Sequence, residues 1–334
     1  MTPQPLLKLC VVGAGAIGGF FGARMAQGFA DVSVIARGAT LQALQRDGWV
    51  LESGGQRTAS PVRAVADASR LPVQDIVLIA VKAPALPSVL AQITPLIGPQ
   101  TLVLPALNGV PWWFALGPHA LPFSGALQST DPSGAIGHAI PIGSVIGTVV
   151  YPACSSPTPG VTRHNSGSKV VFGDPATPAG APASARLASL VALFRGAGFD
   201  AEASTDIRTE VWKKLLGNAC FNPVSMLTGA ATDVMIDDPG IHALFVLMMQ
   251  ETLAVGARLG IDPGIEPAAR IAVSRKLGNV KTSMLQDAEA GRTIELDAIL
   301  GAVSELGHRL GVPTGTLDTV LALARLRAHA HSDC

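Results

Sequence analysis

Charge is scarce in this chain. Asp, Glu, Lys and Arg together make up 14% of its 334 residues, and they balance to a formal net charge of zero. With no basic block, the sequence gives no footing for binding nucleic acid or an acidic membrane surface. Cysteine is confined to Cys10, Cys154, Cys220 and Cys334, with no C-x-x-C pair. Neither a disulfide framework nor a metal site is expected, and a reducing cytoplasm fits. Long apolar runs are missing as well. Residues 76–81 and 244–249 fall far short of the roughly 20 residues that cross a bilayer. The reading is a cytoplasmic protein without a membrane partner. Its length suits roughly two ordinary domains.

What the chain has in quantity is glycine, and one group of glycines is ordered. Residues 7–12 read as a buried strand, and Gly13-Ala14-Gly15-Ala16-Ile17-Gly18 follows with G-x-G-x-x-G spacing. Gly13 lets the chain turn off the strand. Gly15 lets backbone approach a pyrophosphate, and Gly18 lets the following helix lie close on the strand. That helix's N-terminus offers unpaired N–H groups and partial positive charge to phosphates. A second β-branched strand, 31–37, ends at Arg37, where NAD-binding domains place an acidic residue for the ribose. A guanidinium suits a 2′-phosphate, so Arg37 argues for NADP(H). An exposed arginine at a strand end is the plain alternative.

Residues 75–81 form a continuous apolar run of the kind buried on both faces of a parallel sheet. It ends at Lys82, and a similar run, 101–107, ends at Asn108. Ligands of open α/β sheets lie outside the carboxyl ends of strands, which makes both residues candidates; a surface lysine and a turn asparagine are the alternatives. Residues 52–69 read as short antiparallel or irregular structure turning at Gly54-Gly55. Residues 124–174 read as an antiparallel extension of the sheet, with strands at 144–151 and 169–172. A proline-rich loop, 175–184, then precedes a helix over 185–196.

From residue 206 the periodicity is helical, and the first helix is expected to stop at Pro223. Lys214, Asn218 and Asn222 fall four apart, on one face of it. A long apolar helix is expected over 239–260 and another over 294–310, with Glu295 in the latter's first turn. A carboxylate there is also an ordinary dipole partner.

Taken together, Gly13 to Gly18, Val81-Lys82-Ala83, Asn108-Gly109, Glu210-Val211-Trp212-Lys213-Lys214-Leu215 with Asn218 and Asn222-Pro223, Ser283-Met284-Leu285-Gln286-Asp287 and Glu295-Leu296-Asp297 resemble the ketopantoate reductase family over residues 7–327. The resemblance implies an α/β fold: an N-terminal Rossmann-type dinucleotide-binding domain (1–184, with the antiparallel extension) and an all-helical C-terminal domain (185–330). It implies NADPH-dependent reduction of a small 2-oxo acid, first of all 2-dehydropantoate. Lys214 would be the general acid. Glu295 would bind the substrate hydroxyl and hold the lysine. Asn218, Asn222, Ser283, Asn108 and Lys82 would contact substrate. Gly13, Gly15, Ala16, Ile17, Gly18, Arg37, Lys82 and Asn108 would contact cofactor. A homodimer is one option for assembly. The chain departs from the family in the aromatic run Trp112-Trp113-Phe114, expected beside the substrate, and in lacking a further asparagine over 228–232. The alternatives are a paralogue acting on another keto acid and a non-catalytic NADP(H)-binding regulator.

Overall fold

A computed structural model of the chain describes residues 6–118, 122, 125–276 and 278–332. Cys334 and Ser124 lie outside the described residues. The chain forms two compact units. The first comprises residues 6–81, 85–107 and 136–207; the second comprises 82–84, 108–135 and 208–332.

The first unit is built on five parallel strands: β1 (Lys8–Val12), β2 (Asp31–Ile35), β5 (Arg63–Val65), β6 (Ile76–Ile79) and β7 (Leu102–Pro105), in the order β5-β2-β1-β6-β7. Val12 stands level with Ile35 on one side and Ile79 on the other, so three strands end together. Chain order reverses direction between β1 and β6, which is where open sheets of this kind bind ligands. Helix α1 (Ala16–Met25) leaves this point, with Phe20, Phe21 and Met25 fully buried.

The segment 49–60 is an antiparallel hairpin, β3 (Trp49–Ser53) and β4 (Gln56–Ser60), turning at Gly54-Gly55. Beyond it the structure differs from a single extended sheet. β3 pairs in parallel with β10 (Val161–Ser166), which carries β9 (Ala153–Ser155). A third sheet joins β8 (Gly147–Val150), β11 (Lys169–Gly173) and β12 (Asp200–Ala203). It meets the parallel sheet at one bridge, Val103 to Val145. After α2 (Gly38–Asp47), α3 (Leu86–Ile93) and α4 (Ala135–Ala139), helix α5 (Ala185–Gly196) packs on β12 and β11, burying Leu187, Leu190, Val191 and Phe194. It therefore belongs to the first unit, which runs on to Ile207 rather than ending at 184. The proline-rich loop before it marks a connection within that unit.

The second unit is helical. It contains α6 (Ile207–Thr228), α7 (Thr232–Asp237), α8 (Pro239–Arg258), α9 (Pro267–Arg275), α10 (Ser283–Glu289), α11 (Ala302–Leu310) and α12 (Gly315–Ser332). Helix α6 does not stop at Pro223 but continues for five residues past it. Proline removes one backbone hydrogen bond inside a helix. Val224 and Met226, 3% and 1% exposed, bury enough apolar surface beyond it to hold the turn. Helix α8 is the one described helix long and apolar enough to span a bilayer. Phe245, Met248, Met249 and Val255 on it are buried, and its Glu251 accepts the N–H groups of Thr316 and Leu317 at the start of α12.

Candidate active site

The glycine turn does what its spacing implies. Gly13 has φ +106°, and a Cβ there would lie 2.8 Å from the backbone of Ala80 and Val81. A Cβ on Gly18 would lie 2.0 Å from the Gly13 carbonyl oxygen, so α1 can sit this close to β1 only without one. At Gly15, the N-cap of α1, the same construction meets nothing within 4 Å: the face of the turn is open. No side chain caps this helix, so the N–H groups of Ala16 and Ile17 remain available to an anion. Arg37 is exposed beyond the end of β2, at the N-cap of α2 (Gly38–Asp47). A dinucleotide phosphate fits these residues: an uncrowded turn, free N–H donors, and a guanidinium where an acid would repel a 2′-phosphate.

The chemistry-bearing residues gather in the second unit. Lys214, on α6, donates from Nζ to Asn108 Oδ1 at 2.8 Å. The other end of that amide, Asn108 Nδ2, lies 3.4 Å from Glu295 Oε2, and Glu295 Oε1 accepts the N–H of Ala83 at 3.1 Å. An ammonium, an amide and a carboxylate thus form one chain, with the amide donating at one end and accepting at the other. Burial pulls the Lys214 ammonium down to about 8, opposed by the nearby Glu295 charge. Burial also pushes the Glu295 carboxyl up, against the hydrogen bonds from Ala83 and Asn108 and the charges of Lys82 and Lys214. Opposed shifts of this kind, the lysine lowered and the carboxyl raised, have one cause: burial disfavours the charged form of each group.

Glu295 stands just before a helical start rather than within its first turn. The chain after it makes a π turn, Asp297–Gly301, before α11. The wide turn leaves the Ala298 carbonyl to accept the N–H of Val110 at 2.7 Å. A Cβ on Gly109 would lie 2.3 Å from that same oxygen. The Asn108-Gly109 turn is therefore pinned directly beside Glu295, which explains why glycine follows the asparagine.

Asn218 and Asn222 share the Lys214 face of α6. Asn222 is only 5% exposed, yet neither amide has a hydrogen-bond partner among the described residues. Ser283 opens α10 behind the N-cap Thr282 and is exposed. Lys82 is more occupied than its place after a strand suggests: Nζ pairs with Asp287 Oδ2 at 2.7 Å and donates to the Thr293 carbonyl at 2.6 Å.

The aromatic run is not a wall. Trp112, Trp113 and Phe114 are at most 2% exposed. Phe114 stacks on Trp212, with ring centroids 5.8 Å apart, and Arg208 donates to the Phe114 and Leu116 carbonyls. The run is part of the helical unit's interior, the commoner use of tryptophan. Sequence reasoning missed Asp287 as a partner of Lys82, though its spacing of four from Ser283 put both on one face of α10. It also missed the Ala83 N–H, which has no side-chain signal.

Comparison with known proteins identifies the family. Residues 9–177 match the family model described as ketopantoate reductase PanE/ApbA, and residues 206–328 match the model of that family's C-terminal domain. A 2-dehydropantoate 2-reductase from Mesorhizobium japonicum is 44% identical over 96% of this chain and 97% of its own. The crystal structure of a ketopantoate reductase candidate from Ralstonia solanacearum MolK2 superposes with a TM-score of 0.93, at 48% identity, over 98% of this chain and 99% of that one. That of a PanE/ApbA family ketopantoate reductase from Ralstonia eutropha JMP134 gives 0.82 at 26% identity, over 98% and 100%. With both halves matched and the likeness running the full length of its relatives, this chain belongs to the ketopantoate reductase PanE/ApbA family.

Proposed function

We propose that the protein is an oxidoreductase that reduces a 2-oxo acid to the 2-hydroxy acid with NADPH, and that 2-dehydropantoate is its first substrate. The observation that carries the reading is the chain Lys214–Asn108–Glu295. NADPH, when bound, supplies the hydride. The protein's own work is at the carbonyl oxygen. As charge develops there, the Lys214 ammonium stabilises it and then gives up a proton. A lysine held near 8 is protonated at pH 7 yet is a stronger acid than an ordinary lysine. Asn108 fixes the direction of that ammonium. Glu295, its Oε1 held by the Ala83 N–H, keeps lone pairs for a substrate hydroxyl such as the one 2-dehydropantoate carries. Asn218 and Asn222 supply the unpaired amides that orient the acid, and Ser283 supplies a hydroxyl for its carboxylate.

Gly13, Gly15, Gly18 and the N–H groups of Ala16 and Ile17 would hold the pyrophosphate, and Arg37 the 2′-phosphate. Lys82 would act mainly through Glu295, given its engagement with Asp287 and Thr293. The burial of Trp112 and Trp113 in the helical unit supports the family's own substrate over an unusual keto acid. A regulator that only senses NADP(H) has no use for a buried lysine and carboxyl joined by an amide. The test is NADPH oxidation with 2-dehydropantoate beside other 2-oxo acids. Turnover lost in Lys214→Ala with NADPH binding kept supports the assignment; equal turnover in that variant overturns it.

A further inference from the structure

Asp287 sits one turn beyond Ser283 on α10, and its carboxylate is mostly buried, at 14% exposure. Both oxygens are used: Oδ2 by Lys82 Nζ at 2.7 Å and Oδ1 by Arg292 Nε at 2.9 Å. The Arg292 backbone N–H donates to the Asp287 carbonyl at 2.8 Å, closing the loop between them. Lys82 carries the connection onward. Its ammonium also donates to the Thr293 carbonyl, two residues before Glu295, and the next residue, Ala83, donates its N–H to Glu295 Oε1. Two links therefore run from Asp287 to the Glu295 carboxyl, both through Lys82.

The charges around Glu295 show what the pairing achieves. Two cations act on this carboxyl: Lys214 from α6, directed to Asn108, and Lys82 from the turn after β6, directed to Asp287. Arg292 lies behind Asp287 and is half exposed. Without Asp287, the Lys82 ammonium would be drawn towards Glu295, a carboxyl on which its charge already acts. Its lone pairs would then be filled by a protein ammonium instead of a substrate hydroxyl.

We propose that Asp287 is a positioning residue for substrate binding: by holding the Lys82 ammonium it fixes the backbone that carries Glu295 and keeps the Glu295 carboxylate free to accept from substrate. The proposal deepens the reductase reading and rests on it for the identity of the hydroxyl, while its electrostatic core does not.

The experiment is a carbon-13 NMR titration of the Glu295 side chain in protein labelled at the glutamate carboxyls, with the resonance assigned through Glu295→Gln, in wild type and in Asp287→Asn. Asparagine keeps the shape and one acceptor but not the charge. Glu295 is expected to titrate about half a unit or more lower in the variant, as an unrestrained Lys82 favours its ionised form. In NADPH-oxidation assays the KM for 2-dehydropantoate should rise about fivefold or more, with kcat and NADPH binding little changed. A purely structural Asp287 would lower stability and kcat but leave the Glu295 titration in place, and an unmoved titration overturns the proposal. Should Asp287→Asn fail to fold, Lys82→Met tests the same link with opposite sign: Glu295 must then titrate higher, and no change overturns the proposal. A wild type that turns over no 2-oxo acid refutes the reductase reading, and the titration still decides this one.

Discussion

Replacing Lys214 with methionine should abolish reduction and at the same time change stability in a way that depends on pH. Burial lowers the lysine from 10.5 to about 8. A lysine depressed in the folded state binds its proton more tightly when unfolded, so the protonated form favours unfolding. The penalty is complete below pH 8 and fades as pH rises from there towards 10.5. It amounts to about 3 kcal/mol at pH 7 and about 1 kcal/mol at pH 10. Methionine removes it, but also removes the hydrogen bond to Asn108, which stabilises by about 1.5–3 kcal/mol when one partner is charged. The two nearly offset at neutral pH, so the slope is diagnostic. Urea unfolding from pH 7 to 10, followed by tryptophan fluorescence, should show the stability of Lys214→Met relative to wild type falling by about 2 kcal/mol. A difference that stays flat across this range would refute the claim that the ammonium is held in a desolvating site.

Four further outcomes are expected. Asn222→Leu should raise the KM for the oxo acid about tenfold, the value of a hydrogen bond of about 1.4 kcal/mol, while unfolding no more easily than wild type, because its amide has no partner among the described residues to lose; a clear loss of stability in urea would contradict this. Arg37→Glu should weaken NADPH about tenfold to a hundredfold relative to NADH in KM measurements on both cofactors. Gly18→Ala should impair NADPH binding, read by fluorescence titration, because its Cβ meets the Gly13 carbonyl oxygen at 2.0 Å. The pH profile of kcat/KM for reduction should fall above about 8 as Lys214 loses its proton, and a limb that persists in Lys214→Ala would assign it elsewhere.

Much of this was readable in the sequence because the signals are local. A glycine turn between an apolar strand and a helix, two more strands ending at Lys82 and Asn108, and a lysine with asparagines at intervals of four each follow from one stretch of chain. What was not readable depends on packing across sequence distance. The placement of α5 rests on its contacts with β11 and β12, which no pattern within 185–196 reveals. The sheet joining β3 to β10 pairs residues 50–52 with 161–163. Pro223 announces a helix end, but burial of Val224 and Met226 overrides it. Trp112 and Trp113 look like a wall until their burial is known. Glu295 was identified, but the Ala83 N–H that holds it and the Lys82 ammonium that holds the Thr293 carbonyl beside it come from more than 200 residues away in sequence.

The central claim is that Lys214 protonates the carbonyl oxygen of a 2-oxo acid. The most direct test is single-turnover oxidation of bound NADPH by excess 2-dehydropantoate, in wild type and in Lys214→Ala, with and without added small primary amines. The account predicts rapid oxidation by wild type, loss of at least about a hundredfold in the variant, and partial recovery when an amine supplies the missing acid. Wild-type rates in Lys214→Ala with no response to amines would contradict it.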